Sequence, residues 1–217
     1  LYSIIVRNAE GDTAEVIGAT VDWLCAAERG EDVLDYLASE TIKIVTLTVS
    51  EKAYGLDPVT GGLDLKHPSV AADLANPHAP VGAVGFLVEG LAKRREKGIA
   101  PYTVLCCDNL PSNGHVVRRL VLDMAERRDP ELARWIAENG AFPCSMVDRI
   151  VPAATAESRA RAEALLGVED RLSIETEPFM QWVIEENFVS GRPAWEAGGA
   201  VFAQAVDDIG RNASINS

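Results

Sequence analysis

The chain has 217 residues, enough for one large domain or two small ones. Apolar residues make up 47 % and charged residues 24 %, so a disordered chain is not the default reading. A net charge of −13, from 33 acidic and 20 basic side chains, repels phosphate backbones and anionic lipid, which excludes nucleic acid and membrane surfaces as expected partners.

In chain order, residues 3–7 and 14–22 are predicted as strands joined by a turn at 8–12, Asn-Ala-Glu-Gly-Asp. Residues 31–39 read as a short helix. The β-branched run 42–50 (IKIVTLTVS) is expected as a buried parallel strand. The stretch 55–80, rich in Gly, Pro, Asp and His, is expected as a functional loop. A helix follows over 81–97, with Phe86, Leu87, Gly90 and Leu91 on one face and Gly98 as its stop. Next come a strand at 102–107, helices at 113–128, 130–138 and 155–166, and a strand pair at 172–176 and 180–184. Residues 197–217 are small, polar and poorly patterned. Strands alternating with helices imply an α/β layer fold with a mainly parallel sheet, in which strands 42–50 and 102–107 lie adjacent or near-adjacent, with helix 81–97 crossing one face.

Several chemistries are absent from the pattern. There is no phosphate-binding G-x-x-x-x-G-K-[ST] loop and no G-x-S-x-G elbow, and no tyrosine has a lysine four residues on. No G-x-G-x-x-G follows a strand; Gly82 and Gly85 read as packing glycines. Cys25, Cys106, Cys107 and Cys144 form no C-x-x-C pair, and with three histidines they give no zinc spacing, so no metal is expected. Reduced thiols point to the cytoplasm. No apolar run reaches the roughly 18 residues of a membrane span. The opening Leu1-Tyr2-Ser3-Ile4-Ile5-Val6-Arg7 has no signal-peptide pattern, and its strand-like start without Met reads as the interior of a longer protein.

Four segments could carry chemistry. Asp108-Asn109 ends strand 102–107, and in open α/β sheets ligands lie beyond the carboxyl ends of strands. An Asn amide there can donate to a carbonyl oxygen that gains charge on hydride addition; the plain alternative is a turn or helix cap. In Ser145-x-Val147-Asp148-Arg149-Ile150-x-Pro152, a charged pair interrupts an apolar run. Neighbours on a strand face opposite sides, so each charge needs its own partner, a ligand hydroxyl or a structural ion pair. Thr46-x-Thr48-x-Ser50-Glu51-Lys52 places hydroxyls where ribose or nicotinamide could bind, although Thr also simply favours strands. Glu177-Pro178-Phe179-x-Gln181-Trp182 through Phe188 is distinctive, with Trp182 and Phe188 read as core.

Taken together and in order, these segments resemble the polyol-specific long-chain dehydrogenase/reductase family, which includes mannitol 2-dehydrogenase and fructuronate reductase (mannonate oxidoreductase). The matching stretches are Thr46 to Tyr54, Cys107 to Gly114, Ser145 to Pro152 and Glu177 to Glu185, and the likeness spans about residues 1–196. The resemblance implies a Rossmann-like nucleotide-binding domain over 1–196, incomplete at its N-terminal side, with 197–217 either opening a helical C-terminal domain or disordered. It implies hydride transfer between NAD or NADP and a small sugar alcohol, keto sugar or sugar acid, without metal. Asn109 then matches the asparagine that polarises the reacting oxygen, and Asp148 the aspartate near substrate. Thr48, Glu51, Asn109 and Val147 fall among the cofactor contacts.

The sequence departs from the family in three places. The glycine-rich turn should precede Leu1, Gly140 replaces an apolar residue, and the family's K-x-x-x-x-N-x-x-H lysine has no counterpart, since no Lys follows Lys97. The chain alone is therefore expected to be inactive. The competing readings are a catalytically inactive α/β binding or assembly module, and an unrelated α/β enzyme.

Overall fold

The computed structural model describes residues 1–204, within which the chain forms two compact units. The first comprises Leu1–Trp23 and Val147–Gln181, and the second Leu24–Met146 with the segment from Trp182 onward.

In the first unit, β1 (Tyr2–Val6) and β2 (Thr13–Ile17) form the expected antiparallel hairpin, with Ile4 opposite Glu15. Strand β2 ends sooner than the sequence suggests. The chain returns to this unit through β5 (Ser145–Asp148), whose last two residues belong to it, and continues into α6 (Ala156–Leu166). Thr155 and Ser158 close a reciprocal capping box at the start of α6. Strand β6 (Ile174–Thr176) then adds parallel to β1. Here the expectation of a strand pair at 172–176 and 180–184 is corrected: β6 pairs with β1, whereas β7 (Gln181–Glu185) joins the sheet β5-β7-β8. Arg161 ties the face together, lying 3.2 Å from Glu175 and 4.0 Å from Asp12, while Arg7 pairs with the same two carboxylates.

The second unit holds the main core. Helix α1 (Gly30–Leu37) leads to β3 (Ile44–Leu47), which pairs parallel with β4 (Thr103–Cys106), Val45 opposite Val104. This is the predicted pairing, over shorter strands. The 55–80 stretch contains an unforeseen helix, α2 (Pro68–Ala75), with Pro68 in its first turn, where a missing N–H costs nothing. Helix α3 (Ala83–Glu96) buries more than the expected face: Leu87, Gly90 and Leu91 are buried and Phe86 half-buried, but Gly85, Glu89 and Ala92 on the other side are buried as well. Gly85 allows this packing, because a Cβ there would sit 2.1 Å from an Asp73 carboxylate oxygen.

Helices α4 (Asn113–Arg128) and α5 (Pro130–Asn139) complete the layer. Val104, Leu105, Val117, Leu120 and Ile136 are fully enclosed, each contributing about 1.5–3 kcal/mol by leaving water. After β7, a short 3-10 turn at Trp195–Gly198 and β8 (Val201–Ala203) put regular structure into the segment read as poorly patterned; residues 205–217 lie outside the described residues. Trp182, Phe188, Trp195 and Phe202 pack around Leu105 and Ile184, so Trp182 and Phe188 are core residues as expected.

Candidate active site

The β3–β4 pair sets the site. Cys107 N–H donates to Leu47 O at 2.7 Å, so the two chains leave their carboxyl ends side by side, Thr48 on one and Cys107 to Asn109 on the other. Immediately behind this edge lies a closed polar network. The amide nitrogen of Asn113, fully buried, lies 3.1 Å from Asp108 O, 3.2 Å from Asp108 Oδ1 and 3.0 Å from Ser145 O. Its amide oxygen accepts from Ser145 N–H at 3.0 Å, and Ser145 Oγ donates to Cys106 O. Asp108 also accepts from the Tyr54 hydroxyl through Oδ2 and from Leu110 N–H at 3.1 Å through Oδ1. Asn113 thereby pins the strand end, the loop and the 145 segment to one another.

Two backbone features make this possible. Ser112 enters the left-handed region at φ 53° to turn the chain into α4, a conformation that costs a non-glycine residue energy and persists only where its surroundings enforce it. Gly114 permits α4 to start against the 142–143 backbone; a Cβ there would meet Phe142 O at 2.4 Å.

Burial shapes the titration of the edge. It is the largest cause lifting the Tyr54 hydroxyl far above its ordinary range, reinforced by the bond to Asp108, and it pushes the Cys106 and Cys107 thiols up to about 12 and about 11. Both cysteines are free protonated thiols at neutral pH, as the sequence implied, and neither is an activated nucleophile.

The sequence-selected residues fall into two groups. Asn109 and Thr48 are exposed at the carboxyl edge of the second unit, and among the described residues neither side chain has a hydrogen-bond partner. The turn-or-cap alternative thus applies to Asp108, which holds Leu110 N–H, and not to Asn109. Glu51 opens a 3-10 turn at Glu51–Tyr54, directly after Thr48 to Ser50. Val147 and Asp148 belong to the first unit, where Val147 is half-buried and Asp148 exposed. The alternative of two structural ion pairs is not met among the described residues: Asp148 is exposed, and Arg149 donates at 3.2 Å to the carbonyl of Glu177.

Comparison with known proteins decides the family. The family described as the mannitol dehydrogenase Rossmann domain matches residues 1–197. The chain belongs to that family. Its Rossmann domain is 48 % identical over 207 residues to D-mannonate oxidoreductase of Escherichia coli (strain K12), covering 95 % of this chain and 43 % of that protein. Mannitol 2-dehydrogenase of Aspergillus terreus is 41 % identical over 211 residues, with 96 % and 42 % covered. The solved Pseudomonas fluorescens mannitol 2-dehydrogenase, a ternary complex with NAD and D-mannitol, superposes with a TM-score of 0.90 at 38 % identity, over 94 % of this chain and 42 % of that one. The chain thus spans about two fifths of the length of the relatives it matches.

Residues that carry the Rossmann edge structurally had no role assigned from sequence. Asn113, Tyr54 and Ser145 lay inside the matching motifs, but their function is to bond one another across long stretches of chain, which local pattern does not encode. One signal was present: Asp108-Asn109-Leu110-Pro111-Ser112-Asn113 supplies two Asn to one short loop, more than a single cap needs.

Proposed function

We propose that residues 1–196 are the cofactor-binding domain of an oxidoreductase that moves hydride between NAD or NADP and a sugar alcohol, keto sugar or sugar acid. The observation that carries the reading is the uncommitted Asn109 amide beyond the end of β4, held on a loop that Asp108 and Asn113 anchor on either side. The names of the relatives, mannonate oxidoreductase and mannitol 2-dehydrogenase, support the substrate class, and the ternary complex of one of them with NAD supports the cofactor.

The residues present suit such a cofactor. Thr48 and Asn109 are neutral, exposed groups at the carboxyl end of a parallel pair, the position where open α/β sheets bind nucleotides. Thr48, Glu51 and Val147 would be among its contacts. When bound, the nicotinamide supplies or accepts the hydride. The Asn109 amide donates to the reacting substrate oxygen, a bond that strengthens as that oxygen becomes alkoxide-like and so lowers the barrier more than it tightens binding. Asp148 accepts substrate hydroxyls. We place the enzyme in the cytoplasm on its four free cysteines; among the described residues, no helix is long and apolar enough to cross a membrane.

The test is turnover by the protein that carries this chain, assayed with D-mannitol, D-mannonate and their keto counterparts against both nicotinamide cofactors. Reduction or oxidation of the cofactor with at least one pair is expected. Cofactor binding without turnover on any member of a broad polyol and sugar-acid panel would favour the inactive binding-module reading.

A further inference from the structure

Beside the Asn113–Ser145 network, the second unit gathers three unlike side chains that the proposed reaction does not use. His115 stands in the first turn of α4, Cys144 precedes β5, and Glu185 closes β7. One ligand atom from each, a ring nitrogen, the thiol sulfur and a carboxylate oxygen, lie within 4.8 Å of one another. Cys144 is buried, Glu185 half-buried and His115 exposed, so the cluster has a closed floor and one open side.

We propose that His115, Cys144 and Glu185 form a three-ligand site for a borderline-soft divalent metal ion, zinc being the best match. The donor set selects the ion: a thiolate disfavours Mg²⁺ and Ca²⁺, while mixed S, N and O donors suit Zn²⁺ and Co²⁺. Three protein ligands leave a fourth, tetrahedral position for water on the side of His115.

The surroundings support the ligands in the way metal sites are usually supported. The Gly114 and His115 backbone N–H groups face the Cys144 sulfur and hold it in place at the start of α4. Glu185 Oε2 accepts from Cys144 N–H at 3.0 Å, which fixes the carboxylate and leaves its second oxygen for the ion. The close start of α4 on the 142–143 backbone, enforced by Gly114, brings His115 within reach. Binding would displace the Cys144 proton to solvent and leave a metal–sulfur bond, with no change in oxidation state. The ion would bind α4, the 144 segment and β7 together. Sequence spacing could not show this site, because its ligands come from three distant elements.

The test uses the chelator-treated protein titrated with Co²⁺ and then Zn²⁺. One equivalent of cobalt should give a thiolate-to-cobalt charge-transfer band that zinc abolishes, and saturating zinc should raise Tm. Cys144→Ala should remove the band and the zinc-induced rise in Tm. His115→Ala and Glu185→Gln should weaken zinc binding by at least about tenfold, the lower end of what even outer partners contribute. Absence of a saturable band in the wild type would overturn the site, and so would a band that survives Cys144→Ala, which would belong to Cys25 or Cys107. If Cys144→Ala fails to fold, His115→Ala decides, since its side chain is exposed: unchanged zinc affinity in that variant contradicts the proposal.

Discussion

The two ends of the β3–β4 pair hold polar groups in opposite states. At the amino end, Arg94 is almost wholly buried, yet its guanidinium holds three carbonyls: Nε donates to Ala100 O at 2.6 Å, and Nη1 to Leu37 O at 3.0 Å and Ser39 O at 2.5 Å. Its carbon lies 5.4 Å over the Tyr102 ring, and the Tyr102 hydroxyl in turn donates to Leu87 O. At the carboxyl end, Asp108, Asn113, Tyr54 and Ser145 form an equally closed network, but it supports Asn109 and Thr48, which face outward with no partner among the described residues. A polar network that only holds a fold satisfies all its members, because each unpaired buried group is costly. One that also holds exposed donors on a fixed frame provides what the role proposed for Asn109 requires.

Mutations can break or sharpen that contrast. The largest loss of stability is expected at the amino end. Arg94→Ala deprives three carbonyls of their donor, and at about 1 kcal/mol each, the low end for a buried group, unfolding should become easier by about 3 kcal/mol. Denaturant titration measures it, and kcat of the enzyme that remains folded should be unchanged.

Asn113→Ala should cost about 2 kcal/mol by the same reasoning and lower kcat as well, because the loop that presents Asn109 loses its anchor. Loss of stability with full activity would show that the loop is held in some other way.

The smallest effect is expected at Asp129, which caps α5 by accepting from Glu131 N–H. That backbone bond is the main cause holding its carboxyl below the ordinary range, with Arg95 adding to it. A depressed folded-state value gives stability that is present above the ordinary carboxylate pKa and is lost as pH falls through the lower, folded one. Asp129→Ala should therefore lower Tm modestly at neutral pH, and the difference from wild type should vanish in strong acid. A difference that persists unchanged there would mean that charge is irrelevant to the cap.

Much of the fold was legible because β3 and β4 are short β-branched or apolar runs whose parallel pairing follows from the intervening helix; only β4 is buried as expected, whereas β3 is half-buried with Thr46 exposed. Helix α2 was hidden because its neighbours are dense in Gly, Pro, Asp and His, and that composition masked Pro68 as a start signal. The partner of β6 was misjudged for a different reason: adjacency in sequence favours β7, but the real partner, β1, lies at the other end of the chain. In the site, Asn109 was legible as a donor just past a strand end. Asn113 was not, since a buried bridging Asn and a turn Asn look the same in sequence. The exposure of Asp148 escaped for a related reason, because the apolar residues around it belong to a strand that ends there.

The central claim is that Asn109 acts on the reacting oxygen and carries none of the structure. It is tested most directly by measuring kcat, cofactor affinity and Tm for Asn109→Ala in the protein that carries this chain. Loss of one such donor should lower kcat by about 10²–10³-fold, with cofactor binding and Tm nearly unchanged. A variant that melts earlier yet turns over at the wild-type rate would make Asn109 a structural residue and contradict the placement of the active site.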